Sequence, residues 1–208
     1  MSIALSSSLL LLAPDIAPDP DRRIRVHLDA ALVRIAGEPT AVRRVSEYRA
    51  FDAGPLSFGL GYQLLPVLSV GARVSPSFSG LEPNFVFGGR IRRNSVLVEP
   101  YAELRSLPKA RVQPFVAFGA GVQFDWTMGT LPDRQFRHRG FRKRFTGRVG
   151  VRGFVLPRLS LEADVALMHT SAGGVPVVEV GVGGTSLGES VMLPGLSGAL
   201  NVGASVWF

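Results

Sequence analysis

The chain of 208 residues carries 23 Lys and Arg against 16 Asp and Glu, a formal net charge of +7, with 24 glycines, 15 prolines and no cysteine. That length suits one domain with a sizeable core, and the missing cysteines exclude a disulfide framework, a thiolate nucleophile and Cys-ligated zinc. Three scattered histidines (His27, His138, His169) give no metal-ligand spacing, so no metal or cofactor is expected, and no run of about 18 apolar residues offers a transmembrane helix.

In chain order, residues 1–23 read as a lead-in. "IALSSSLLLLA" (3–13) has the length of an export-signal core, but no Lys or Arg precedes it. Pro14 and Pro18 follow the candidate cleavage alanines Ala13 and Ala17, so a degenerate signal and a Pro/Asp-rich lead-in, "APDIAPDPD", both fit. From 24 to 208, eight segments alternate with period two, the mark of strands with one apolar face. The first, 24–33, sets Ile24, Val26, Leu28, Ala30 and Leu32 against Arg25, His27 and Asp29. The second, 55–64, sets Leu56, Phe58, Leu60, Tyr62 and Leu64 against Ser57, Gly59, Gly61 and Gln63. In the third, Leu68, Val70, Ala72 and Val74 oppose Ser69, Gly71, Arg73 and Ser75. The fourth, 95–105, opposes Val96, Val98, Ala102 and Leu104 to Glu99, Tyr101, Glu103 and Arg105.

The fifth runs from Arg111 to Trp126, with Val112, Val116, Phe118, Ala120, Val122 and Phe124 on one face and Gln113, Gly119, Gly121, Gln123 and Asp125 on the other. The sixth, 144–155, opposes Phe145, Val149, Val151 and Val155 to Thr146, Arg148, Gly150 and Arg152. The seventh opposes Leu159, Leu161, Ala163, Val165 and Leu167 to Ser160, Glu162, Asp164 and Ala166. The last, "ALNVGASVWF" (199–208), alternates Leu200, Val202, Ala204, Val206 and Phe208 with Asn201, Gly203, Ser205 and Trp207. No charge falls on an apolar face. The opposite faces hold Arg25, Arg73, Arg105, Arg111, Arg148 and Arg152 together with Asp29, Glu99, Glu103, Asp125, Glu162 and Asp164.

Short links, "LPV", "SLPKA" and "LPR", join segments two to three, four to five and six to seven; the other links are several times longer. In an up-and-down meander this puts every tight turn at one end and every long loop at the other. Eight such strands close either as a soluble calyx, apolar inside, or as a transmembrane barrel, apolar outside. Strand length, aromatics near the strand ends (Tyr62, Phe208; Phe58, Phe124, Trp126, Phe145) and the loop asymmetry favour the transmembrane form. The fold class expected is all-β, a closed eight-stranded antiparallel up-and-down transmembrane barrel spanning 24–208.

The terminal "SVWF", with "PFVAFGAGVQF" and "LPRLSLEADVAL", resembles small bacterial outer-membrane β-barrel domain proteins. That resemblance implies a C-terminal assembly signature at Val206, Trp207 and Phe208, read by the barrel-assembly machinery. It also implies a monomer in the outer membrane with both termini periplasmic and four long loops outside.

An eight-stranded barrel is just wide enough for side chains to fill. The balanced inward charges then read as a self-compensating ion-pair network, Arg148 and Arg152 with Glu162 and Asp164, and Glu99 and Glu103 with Arg111 or neighbours across the lumen. A narrow pore for small solutes is the alternative. The basic excess sits in "DRQFRHRGFRKRF" (133–145), expected as an outside loop, where Arg134, Arg137, Arg139, Arg142, Lys143 and Arg144 interleave with Phe136, Phe141 and Phe145. Guanidinium forks match phosphates, so lipopolysaccharide rather than nucleic acid is the expected contact. Arg43, Arg44, Arg49, Arg90, Arg92 and Arg93 extend this rim from two other loops.

"LMHTSAGG" (167–174) places His169 and Ser171 on the lipid-side face of Leu167. A His beside a Ser needs a carboxylate to orient the imidazole, and Glu179 and Glu189 in the following loop are the candidates. The stretch resembles the His-x-Ser-Asn pattern of outer-membrane lipid A deacylases, which implies His169 as base and Ser171 as nucleophile, with no Glu at the matched place. The chain departs from that pattern at Ala172, where the family has Asn. The other reading is an ordinary interfacial strand end. A structural and surface-interaction barrel is therefore the first expectation and a lipid A esterase the second.

Overall fold

The computed structural model describes residues 23–37, 56–78, 82–84, 89–130, 134–171, 173–181, 184–192 and 195–208. The side chains of 34–37, 82–84, 89, 91, 93, 127, 134, 136, 138, 173–181 and 184–192 are not among those described. Residues 1–22 and Arg43, Arg44 and Arg49 lie outside the described residues.

The strands are β1 (Ile24–Gly37), β2 (Ser57–Leu65), β3 (Leu68–Phe78), β4 (Glu82–Asn84), β5 (Gly89–Arg105), β6 (Val112–Thr130), β7 (Arg134–Leu156), β8 (Leu159–Thr170), β9 (Gly173–Gly181), β10 (Gly184–Met192) and β11 (Gly195–Trp207). From β1 the sheet runs through β2, β3, β5, β6, β7, β8 and β11 and returns to β1, antiparallel throughout. Eight strands thus close on themselves. At the seam Arg25 lies opposite Trp207 and Gly37 opposite Leu196, with one register shift between Ala31 and Val33. Closure leaves none of these eight strands with a bare edge through the barrel wall.

The polarity is inverted relative to a water-soluble barrel. Leu60, Phe118, Val149 and Val165 are 58 to 63% exposed on the outside, while Arg152 and Gln113 inside have no exposure and Arg25 and Glu99 have 2%. Period-two alternation does this directly, because successive side chains leave opposite faces of a strand.

Of residues 133–145, expected as a loop, 134–145 are instead the outer half of the 23-residue β7, paired with β6 as far as Gln135 opposite Thr130, and residue 133 lies outside the described residues. At about 3.3 Å per residue β7 is roughly 75 Å long, well beyond a hydrocarbon core of about 30 Å even when tilted. Above that core neither face must be apolar, so the alternation continues in charged residues that read as a loop. Arg90, Arg92 and Arg93 likewise belong to β5. Beyond the barrel wall, β9 pairs with β7 from Arg134 opposite Gly181 to His138 opposite Val177, and β10 pairs with β9. This hairpin continues β8 and β11 outward.

Candidate functional site

The inward faces form stacked layers, beginning at the tight-turn end. Trp207, Phe154 and Phe115 make an aromatic floor, with Phe154 and Trp207 centroids 5.9 Å apart. The guanidiniums of Arg105, Arg152 and Arg25 lie 5.2, 5.3 and 5.6 Å from the Trp207 ring centre, cation–π range. Trp207 Nε1 donates to Ser160 Oγ at 3.2 Å, and Gln113 Nε2 donates to the Pro108 carbonyl at 2.7 Å.

The next layer is a buried ion cluster. Arg25 Nη1 donates to both Glu103 oxygens (2.9 and 3.1 Å) and its Nη2 to Tyr101 Oη at 2.8 Å. Arg152 bridges Glu103 at 3.0 Å and, through Nε, Glu162 at 2.9 Å, while Ser205 Oγ donates to Glu162. A second cluster lies above. Arg148 Nε donates to Asp164 at 2.8 Å, and its terminal nitrogens reach Asp29 at 3.3 Å. Arg73 spans Asp29 and Glu99, each at 3.4 Å; Thr146 donates to Glu99 at 2.6 Å and Asn201 to Asp164 at 2.8 Å. Between the clusters the rings of His27 and Tyr101 meet edge-on at 5.8 Å.

Glycines make room for these groups on facing strands. A Cβ at Gly59 would lie 1.9 Å from His27 Cε1, one at Gly203 2.2 Å from Asp29 Oδ1, and one at Gly119 2.5 Å from Glu99 Oε1. Above the second cluster Ala31, Ala166, Met168 and Ala199 form an apolar layer beside a cavity of about 50 Å³, room for only a few waters. At the mouth Arg142 Nε donates to Asp125 at 2.8 Å, and Arg144 donates to Gln123 at 3.2 Å and to the Met168 sulfur.

Two of the twelve charged residues assigned inward by alternation bond to carbonyl or amide oxygens rather than to carboxylates, Arg105 from its buried place in the floor and Arg111 from outside the strands. Arg111 is in a tight turn, its Nε donating to the Phe154 carbonyl at 3.1 Å, so it meets neither Glu99 nor Glu103. Arg105 donates to the Pro66 carbonyl at 2.9 Å and to Gln113 rather than to a carboxylate. Alternation also marks His27, Tyr101, Thr146, Asn201 and Ser205 as inward; the part of Tyr101, Thr146, Asn201 and Ser205 as hydrogen-bonding partners of the charges had no sequence signal beyond that parity.

No protein-family model matches the chain, and no curated protein matches it in sequence. Solved structures do match it. A major outer membrane protein from Thermus thermophilus aligns with TM-score 0.63 at 15% identity, covering 90% of this chain and all of that one. The outer membrane protein AlkL, determined in lipid bilayers, aligns with TM-score 0.58 at 16% identity over 94% of this chain and 95% of its own. Neisserial surface protein A gives 0.54 at 16%, over 89% and 97%. The chain has the fold of the small outer-membrane β-barrels.

On this barrel β7 splits the basic residues into two rows. Arg142 and Arg144 turn inward to the mouth contacts above, whereas Arg137, Arg139 and Lys143 are exposed on the outer face. There Arg137 lies opposite Met128, Arg139 opposite Trp126 and Phe141 opposite Phe124 on β6. The side chain of Arg134 is not among those described. At the closing strand Trp207 turns into the floor, while Val206 and Phe208 face outward.

His169 is exposed on the barrel's outer face, opposite Phe145 on β7 and Leu196 on β11. Ser171 exchanges bonds with the backbone of Lys143, its Oγ accepting at 3.1 Å and its N–H donating at 2.9 Å. His169 and Ser171 share no hydrogen bond among those described. Glu179 lies on β9 opposite Phe136, seven residues beyond Lys143 along β7 and so about 23 Å away. Glu189 is one strand further out, opposite Pro176. His169, Ser171 and Glu179 are therefore not brought together as a triad.

Proposed function

We propose that the protein is an integral barrel of the bacterial outer membrane with a structural and surface-interaction role. Its tight turns and both ends of the barrel chain face the periplasm, and its lumen is closed to solutes by paired charges above an aromatic floor. The long β6–β7 hairpin projects outward, where Arg137, Arg139 and Lys143 contact the phosphates of lipopolysaccharide. The observation that carries this reading is the outer face of that hairpin. Phe124, Phe141 and Trp126 stand in the position of an interfacial aromatic girdle, with Arg139 and Arg137 next along the strand. Arg139 and Arg137, beyond that girdle, sit at the depth of lipid phosphates, and Lys143, one pair inside it opposite Val122, extends to them along its apolar stem; the phosphates accept their forked or point-charge hydrogen bonds. The inward Arg142, held by Asp125, serves as internal control.

The test uses outer-membrane fractions and barrels identified as folded by their heat-shifted migration on SDS gels. Changing Arg137, Arg139 and Lys143 to Glu together should weaken lipopolysaccharide retention about tenfold or more, since each exposed charge contact is worth on the order of 0.5–1 kcal/mol. Arg142→Gln should leave retention unchanged. Equal retention by the triple variant and the parent would remove the lipopolysaccharide assignment. A folded protein found soluble without detergent would remove the membrane assignment.

A further inference from the structure

The tight-turn end has chemistry of its own. All three tight turns carry Leu-Pro, at 65–66, 107–108 and 156–157. Two of them are followed by a cation, Lys109 and Arg158, and the third by Val67. In water such turns are ordinarily polar, because an exposed loop gains nothing from apolar side chains. Here Leu65, Val67, Leu107 and Leu156 are 44 to 63% exposed.

Leu107 also stands at φ 53°, in the left-handed region where Gly or Asn sits without strain and a leucine does not. Its side chain is 63% exposed, so no packing within the described barrel explains keeping it there. Strain held at an exposed position points to a partner outside the fold. The lysine and arginine have none inside it, since among the described residues neither Lys109 nor Arg158 makes a side-chain hydrogen bond or ion pair. No Asp or Glu occurs in 62–68, 106–112 or 154–160.

We propose that this rim is a lipid-anchoring ring. Its leucines enter the interfacial region of the leaflet at the tight-turn end, and Lys109 and Arg158 bind the phosphates of anionic glycerophospholipid there. The inference rests on the membrane-spanning reading above, though not on which side of the membrane the rim faces. An apolar side chain beside a cation fits a lipid interface, where the acyl boundary and the phosphates lie within one side-chain length of each other. A soluble acidic partner would match the cations but not the leucines.

Because the chain lacks cysteine, single-cysteine spin labels report depth without background. The protein is reconstituted in vesicles of phosphatidylcholine alone, or of phosphatidylcholine with phosphatidylglycerol, labelled at Leu107→Cys or Leu60→Cys. Both labels should be relaxed by oxygen dissolved in lipid more than by a water-soluble nickel complex. In the mixed vesicles, phosphatidylglycerol should be enriched around the parent by spin-labelled-lipid association, and several-fold less around K109Q/R158Q. A label at 107 that reports water while the label at 60 reports lipid overturns the ring and leaves the barrel reading intact. A label at 60 that reports water removes the barrel reading itself. Equal enrichment by parent and double variant overturns the phosphate contacts. If enrichment rises several-fold only when Asp15, Asp19 and Asp21 are changed to Asn, the acidic lead-in occupies the rim and the proposal fails.

Discussion

Replacing Arg152 with Ala is expected to destabilise the folded barrel by about 3–5 kcal/mol, the cost of leaving buried charge uncompensated. Arg152 has no solvent exposure and is the link between Glu103 and Glu162, while its guanidinium lies 5.2 Å from the Phe115 ring centre and 5.3 Å from that of Trp207. Its removal strands Glu162 more than Glu103, because Glu103 keeps Arg25 at 2.9 Å while Arg25 reaches Glu162 only at 3.8 Å. Arg152→Met combined with Glu162→Gln should therefore recover a large part of the loss. Urea unfolding in lipid vesicles, followed by tryptophan fluorescence, reads both variants. A single variant as stable as the parent, or a double variant no better than the single, would show that the pair is not coupled.

Gly59→Ala should cost about 2–3 kcal/mol through overpacking inside a filled section. The new methyl would lie 1.9 Å from one His27 ring carbon and 2.0 Å from Nε2, and the ring is confined on another side by Tyr101 at 5.8 Å. The backbone cannot yield easily, since Gly59 lies opposite His27 on β1 and Arg73 on β3 in two continuous ladders. Removing the ring should remove the clash. His27→Ala is expected to be destabilising alone, yet Gly59→Ala in the His27→Ala background should cost much less than in the parent. That gives a coupling energy of about 1 kcal/mol or more in a double-mutant cycle. Strict additivity would mean that the histidine does not occupy the space the glycine leaves.

These two cases show what a sequence of this type displays and what it conceals. The eight-stranded closed barrel is legible because alternation runs through most of each wall segment, broken in β1 only at the register shift between Ala31 and Val33, and because the links alternate between short and long. Parity also tells which side chains share an inner face. Pairing across the lumen is not legible, because it depends on stagger around the ring: Arg25 is bonded to Glu103 although 78 residues separate them. Pairing between neighbouring strands is legible: alternation sets Arg148 and Arg152 against Glu162 and Asp164, and Arg152 does meet Glu162 directly opposite while Arg148 takes Asp164 on the diagonal. The outer half of β7 is hidden for another reason. Outside a bilayer the apolar period is no longer required, so "RQFRHRGFRKR" carries strand pairing without its usual signature. The placement of a carboxylate near His169 and Ser171 is not legible either, because the distance to Glu179 and Glu189 depends on the register of β9 and β10.

The reading depends most on a lumen closed to solutes by its side chains, and single-channel recording in a planar lipid bilayer tests it most directly. Barrels verified as folded and inserted are expected to show no steady conductance above the bare bilayer, at any polarity. An ohmic current that changes when Arg148 or Glu162 is neutralised would contradict it, and would make the two ion clusters the walls of a pore.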